Sequence, residues 1–186
     1  DELKKQGINP YPAKIERSIS IIELIKDFEK LEKSQKEITI AGRLMSIRGH
    51  GNLSFAHLKD ETGKIQIAFS RKEIGAENYK IFIKLIDIGD FIEVAGSLFT
   101  THKGEQSVMA KNWKLLAKAL RPLPDKWHGL VNEEEKLRKR YLDILFNPAV
   151  KEMIIKKAVF WQSVSNFMVK KGFKALTGSD GKWIQA

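Results

Sequence analysis

Residues 38–116 change hydrophobic period in an order that few folds accept. From Ile38 the apolar residues alternate: Ile38, Ile40 and Leu44 fall between Thr39, Ala41 and Arg43. A period of two is the signature of a half-buried strand. Gly42 lies inside this run, and an interior glycine marks a bulge or bend. A second strand is expected over residues 53–58. A third is expected over 64–70, with Ile65, Ile67 and Phe69 on one face. The stretch "AENYKIFIKLIDIGD" then reads as helical and ends near Gly89. Strands four and five follow over 91–99 and 106–116, joined by the polar link 100–104. Three strands, one helix and two strands is the order of the oligonucleotide/oligosaccharide-binding barrel, the OB-fold. The expected fold class is mainly β with flanking helices, built on a five-stranded OB-fold barrel.

Helices are expected on both sides of the barrel. Residues 19–33 carry an apolar stripe of Ile21, Leu24, Ile25, Phe28 and Leu31, and Ser20 with Glu23 forms a capping-box pattern. After the barrel, "LRPLPDKWHGL" has two prolines and Trp127 and reads as an ordered linker. In "NEEEKLRKRYLDILF", Leu137, Tyr141 and Leu145 recur four apart, as on a helix. Asn147-Pro148 restarts the chain with an N-cap residue and a first-turn proline. The next helix carries Val150, Met153, Ile154, Ala158, Trp161, Val164 and Met168 as one stripe. Lys170 and Lys171 suit its last turn, and Gly172 its stop. Such a segment is too short to stand as a domain, so its stripe calls for a partner surface.

Charge and missing residue types narrow the chemistry. The 186 residues carry a formal net charge of +10, which favours an anionic partner, nucleic acid first. There are no cysteines, so disulfides, thiolate metal sites and a cysteine nucleophile are excluded. The four histidines (His50, His57, His102, His128) show no metal-ligand spacing, and no metal site is expected. No phosphate-binding glycine loop and no nucleophile elbow occur. Glu133-Glu134-Glu135 suits the first turn of a helix. No catalytic residue is assigned. No apolar run is long enough to span a membrane, and "DELKKQGINPYP" has no apolar signal core, so a cytoplasmic protein is expected.

An OB barrel reads single-stranded nucleic acid on one face through stacking, positive charge and polar contacts to base edges. If Ile65, Ile67 and Phe69 face the core, Gln66 faces out. In the preceding strand either Leu53, Phe55 and His57 or Ser54, Ala56 and Leu58 share the outer face. Pattern alone leaves both open, and an aromatic such as Phe55 is often core. With Phe55 outward beside Gln66, and Arg48 reaching in from the loop, a stacking ring, an amide and a guanidinium would sit together.

Several stretches resemble the N-terminal part of a bacterial-type class II lysyl-tRNA synthetase: "GINPYP", "AGRLMSIRGHGNLSFAHLKDETGKIQIAF", "ALRPLPDKWHGLVNEEEKLRKRYLDIL" and "FMVKKGF". The resemblance implies that the barrel binds the U-rich anticodon of lysine tRNA. It implies that Phe55, Gln66 and Arg48 stack on and hydrogen-bond the central uridine, and that Glu105 lies near the first anticodon base. It therefore favours Phe55 outward. It divides the chain into an N-terminal helical segment (1–36), the anticodon-binding barrel (37–117), a linker (118–131), the helical start of an incomplete α+β catalytic domain (132–173) and a tail (174–186). The tail "KALTGSDGKWIQA" departs from the family, which continues with a "VETP"-like run that builds the dimer interface. The expectation is thus a truncated enzyme that binds lysine tRNA through its anticodon stem-loop without catalysis. ATP and magnesium are implied for the intact enzyme and no cofactor for this chain. A homodimer is implied for the intact enzyme and is expected to be weak or absent here. The alternatives are a stand-alone single-stranded nucleic-acid-binding module, or an interaction protein that uses the 150–168 helix.

Overall fold

The computed structural model describes residues 2–124, 130, 132–175 and 183–185. Residues 125–129 and 131 of the expected linker, Trp127 among them, lie outside the described residues, as do 176–182 and 186 of the expected tail. The chain divides into two compact units, Asp1–Leu123 and Pro124–Ala186.

The first unit is a closed five-stranded barrel. Its strands are β1 (Ile38–His50), β2 (Leu53–Lys59), β3 (Lys64–Ser70), β4 (Phe91–Thr100) and β5 (Gln106–Ala117). They run in the order β1-β2-β3-β5-β4 and close back onto β1. The β3–β5 pair is parallel and the other four are antiparallel. Alternation delivers the core: Ile40, Leu44, Leu58, Ile67, Ile92 and Val94 are all fully buried. Each such side chain contributes about 1.5–3 kcal/mol on leaving water.

The first strand is longer than the sequence suggests, and it is irregular at Met45 rather than at Gly42. Leu44 faces Leu58 and Ser46 faces His57, so Met45 is an extra residue in the ladder. The extra residue inverts the alternation. Leu44 points inward, yet Arg48, four residues on, points outward. Gly42 instead marks a close approach, since a Cβ there would lie 2.6 Å from the Lys59 carbonyl oxygen.

Helices seal the barrel. After α1 (Glu2–Lys5), the expected helix over 19–33 is two helices, α2 (Ile21–Lys26) and α3 (Phe28–Ser34). The break is at Asp27, whose φ of −100° and ψ of 16° leave the helical region. It lets Phe28 join Ile21 and Leu24 in the core. The Ser20–Glu23 capping box is formed. The turn after β2 completes the cap: Asp60 Oδ2 accepts from Ile21 N at 3.0 Å and Thr62 Oγ1 from Ile22 N at 3.1 Å. These bonds satisfy helix N–H groups that have no partner inside the helix.

Between β3 and β4 lie α4 (Arg71–Ile74) and α5 (Ala76–Leu85), so the expected helix ends before Gly89. Phe82 of α5 stacks on Phe69 with centroids 3.9 Å apart, and Trp113 meets Phe82 edge-on at 5.6 Å. Tyr79 ties α5 to the β1–β2 hairpin, donating to Gly51 O at 3.0 Å and lying 2.7 Å from Ser54 Oγ.

The second unit comprises α6 (Glu133–Arg138), α7 (Arg140–Phe146), α8 (Pro148–Lys170) and a hairpin of β6 (Phe173–Ala175) and β7 (Trp183–Gln185). The single helix expected from "NEEEKLRKRYLDILF" is interrupted at Lys139, whose φ of −113° and ψ of 45° are not helical. Asn132 and Asn147 cap α6 and α8 through their side chains. Gly172, at a φ of 88°, follows α8 as the left-handed stop. The expected stripe of α8 does not act as one buried face. Met153 and Trp161 are exposed, and so are Ile155, Val159, Phe160 and Phe167. Apolar side chains occur on more than one side of this helix, and no α8 residue is fully buried.

Candidate nucleic-acid interface

Register settles which face Phe55 occupies. Ser54, Ala56 and Leu58 are buried, so Leu53, Phe55 and His57 share the outer face of β2. Phe55 is half-buried there, between Arg48 on β1 and Ala68 on β3. Beyond Ala68, Met109 of β5 continues the row. Arg48 is exposed, but on β1 and not in a loop as expected. The extra residue at Met45 is what turns it outward. By contrast, Arg43 is engaged with the protein. It lies 4.2 Å over the Phe91 ring and donates to Gly89 O at 3.2 Å, and burial pulls its pKa below the usual arginine value.

A second row lies beside the first: Ser46 on β1, His57 on β2, Gln66 on β3 and Ser107 on β5. Gln66 occupies the outer face as expected, but it is only 9% exposed. Its Nε2 donates to Ser107 Oγ at 2.9 Å. That bond fixes the amide plane and directs the amide oxygen as an acceptor. Ser107 Oγ in turn donates to the Glu105 carbonyl at 3.1 Å. Glu105 sits on the β4–β5 loop with its side chain 50% exposed, and its Oε1 is 3.4 Å from His57 Nε2. His57 Nδ1 lies 2.9 Å from Ser46 Oγ.

The structure thus brings Arg48 and Phe55 together in one row, and links Gln66 and Glu105 through the adjacent row. The sequence gives no sign of Ser46 or Ser107 as site residues, and it places His57 only as a possible face neighbour of Phe55, because the partners of His57 lie on β1 and on the β4–β5 loop. Chemically Phe55, Arg48, Gln66 and Glu105 offer an aromatic surface, an exposed cation, a fixed amide and a carboxylate. That set suits unstacked bases and their polar edges better than a regular duplex, and stacking is sequence-tolerant while the amide and carboxylate discriminate. Among the described residues no group of three or more histidine, aspartate or glutamate side chains can hold a metal ion. No described helix is long and apolar enough to cross a membrane.

Residues 38–116 match the family described as the OB-fold nucleic acid binding domain, of the tRNA anticodon type. The barrel is therefore a nucleic-acid-binding OB domain. The whole chain finds relatives beyond the barrel. It is 47% identical over 172 residues to the lysine–tRNA ligase of Carboxydothermus hydrogenoformans, covering 92% of this chain and 35% of that protein. It is 42% identical over 178 residues to the lysine–tRNA ligase of Bacillus subtilis, covering 93% and 36%. Against that of Fusobacterium nucleatum it is 39% identical over 173 residues, covering 93% and 34%. Over nearly all of its own length the chain is thus similar to lysine–tRNA ligases, and it spans about a third of the length of these curated relatives.

Proposed function

We propose that the outer face of β1, β2, β3 and β5 binds the anticodon stem-loop of a lysine tRNA. Phe55 stacks on the central uridine, Gln66 hydrogen-bonds its edge, Arg48 contacts phosphate or base, and Glu105 accepts from the first anticodon base. The observation that supports this most is the juxtaposition of Phe55 with Arg48 and Ala68 in one outward row of an OB barrel. The net charge of +10 supplies the long-range attraction.

In the whole protein the proposed activity is ATP-dependent attachment of lysine to its tRNA, with magnesium, in the cytoplasm. No chemical step is assigned to the residues of this chain. The proposed division keeps residues 1–36 as an N-terminal helical segment, 37–117 as the anticodon-binding domain, 118–131 as a linker, 132–173 as the start of the catalytic domain and 174–186 as a tail. A homodimer belongs to the same reading of the whole enzyme. This chain should dimerise weakly or not at all.

The test is competition between stem-loops with UUU and CCC anticodons for the 186-residue chain, at one stated salt concentration. Preferential binding of UUU is expected. Equal affinity would reduce the barrel to a general single-strand binder.

A further inference from the structure

The Ser46–His57–Glu105 chain has no assigned role in the anticodon reading, yet it converges on one of the reading groups. Glu105 is a long, half-exposed side chain on a loop. Left unrestrained, it would lose rotamer freedom each time it captured a ligand. Its backbone is anchored: the carbonyl accepts from Ser107 Oγ, the same hydroxyl that holds the Gln66 amide. One contact among the described residues restrains the side chain itself. Its Oε1 faces His57 Nε2 at 3.4 Å.

His57 is well placed to direct that carboxylate. Its Cα lies opposite Ser46 in β1 and opposite Gln66 in β3, so the ring stands in the middle of the sheet face. A Ser46 hydroxyl donating to Nδ1 selects the tautomer with the proton on Nε2, which then donates to Glu105. The contact to His57 is made by Oε1, and the Glu105 side chain remains half-exposed. An ionised carboxylate accepts only, so what it takes from a ligand must be an N–H or O–H and not a phosphate.

We propose that His57 is a positioning residue: it orients the Glu105 carboxylate to accept the ring N–H of a uridine at the first anticodon position. The proposal rests on the anticodon reading and deepens it. Discrimination at the first anticodon base then depends on a β2 side chain that need not touch that base.

The test uses the whole chain and two UUU stem-loops, one carrying N3-methyluridine at the first anticodon position. Methylation removes the ring N–H and leaves the base otherwise able to stack. Fluorescence anisotropy should show that methylation weakens wild-type binding about tenfold or more, the scale of one hydrogen bond to a charged group. His57→Ala and Glu105→Gln should each shrink that penalty to about twofold or less, and the double variant should lose no more than Glu105→Gln alone, because coupled groups are not additive. His57→Gln, whose amide N–H can reach the same carboxylate, should recover most of the penalty. Unchanged circular dichroism of His57→Gln guards against a folding artefact. The proposal is overturned by His57→Ala keeping the full wild-type penalty, or by His57→Gln failing to restore it. Failure of the anticodon reading looks different: UUU and CCC stem-loops would bind wild-type protein alike.

Discussion

Replacing Phe55 by alanine separates the proposed binding role from stability. Phe55 lies on the outer face of β2, half-buried, while the core residues of that strand are Ala56 and Leu58. Its cross-strand neighbours are Arg48 and Ala68. Removing the ring costs cross-strand contacts worth about 0.2–1 kcal/mol. It leaves no cavity inside the barrel, so the urea midpoint should move little. A base stacked on an aromatic ring is worth about 1–3 kcal/mol. The dissociation constant for a UUU stem-loop should therefore rise about 5- to 150-fold. Anisotropy titrations of wild type, Phe55→Ala and a control at exposed Lys36 provide the comparison. Lys36→Ala should act only through the salt-dependent background. Equal affinity of wild type and Phe55→Ala would refute the stacking role. A large loss of stability in Phe55→Ala would refute the placement of its ring outside the core.

Two further predictions concern the barrel itself. At Gly96 a Cβ would lie 2.0 Å from the Met109 carbonyl oxygen, a backbone atom that moves only if β4 and β5 separate. Gly96→Ala should cost about 3 kcal/mol or more, at or above the upper range for overpacking. Gly104→Ala meets no atom within 4 Å and should cost only the left-handed penalty of about 1–2 kcal/mol at its φ of 80°. Urea midpoints in that order support the packing account, and a Gly96→Ala midpoint equal to wild type contradicts it.

Stability should also fall at both ends of the pH scale. Burial would depress the Lys118 pKa, but its bonds to Asp87 and Asp90 outweigh this and raise it. Its contribution is present below the unfolded value of 10.5 and is lost as pH rises through the raised folded value. Burial alone would raise Asp60, but its bonds from Ile21, Thr62 and Gly63 lower it on balance. That contribution is present above the unfolded value of 3.8 and is lost as pH falls through the lowered folded value. Urea midpoints against pH should show Lys118→Met flattening the alkaline limb and Asp60→Asn the acid limb. Unchanged limbs would remove these groups from the account.

Much of this architecture is legible in the sequence because strands announce themselves locally. Ile65, Ile67 and Phe69 give a period of two without knowledge of their neighbours, and the strand–helix order limits the topology. The capping box at Ser20 and the stop at Gly172 are equally local signals. What escapes is what depends on register. Met45 is an ordinary residue, and nothing in its type says that it adds a position to β1. Yet it alone gives Arg48 the opposite orientation to the one counted from Leu44. Asp27 and Lys139 likewise break their helices without glycine or proline. The side-chain bonds from His57 to Ser46 and Glu105 span 11 and 48 residues, so no window of sequence contains them. Parity in β2 lies between these cases: alternation reduces Phe55 to two options, and packing against β3 chooses.

The central claim is that nucleic acid lies on one particular face of the barrel. Backbone amide correlation spectra of the isotopically labelled chain, titrated with a UUU anticodon stem-loop, test it most directly. The largest shifts should fall at Arg48, Phe55, His57, Gln66 and Glu105 and should saturate together. Shifts concentrated instead on α5, around Lys80 and Lys84, or on α8, with the outer face of β2 and β3 unchanged, would contradict it.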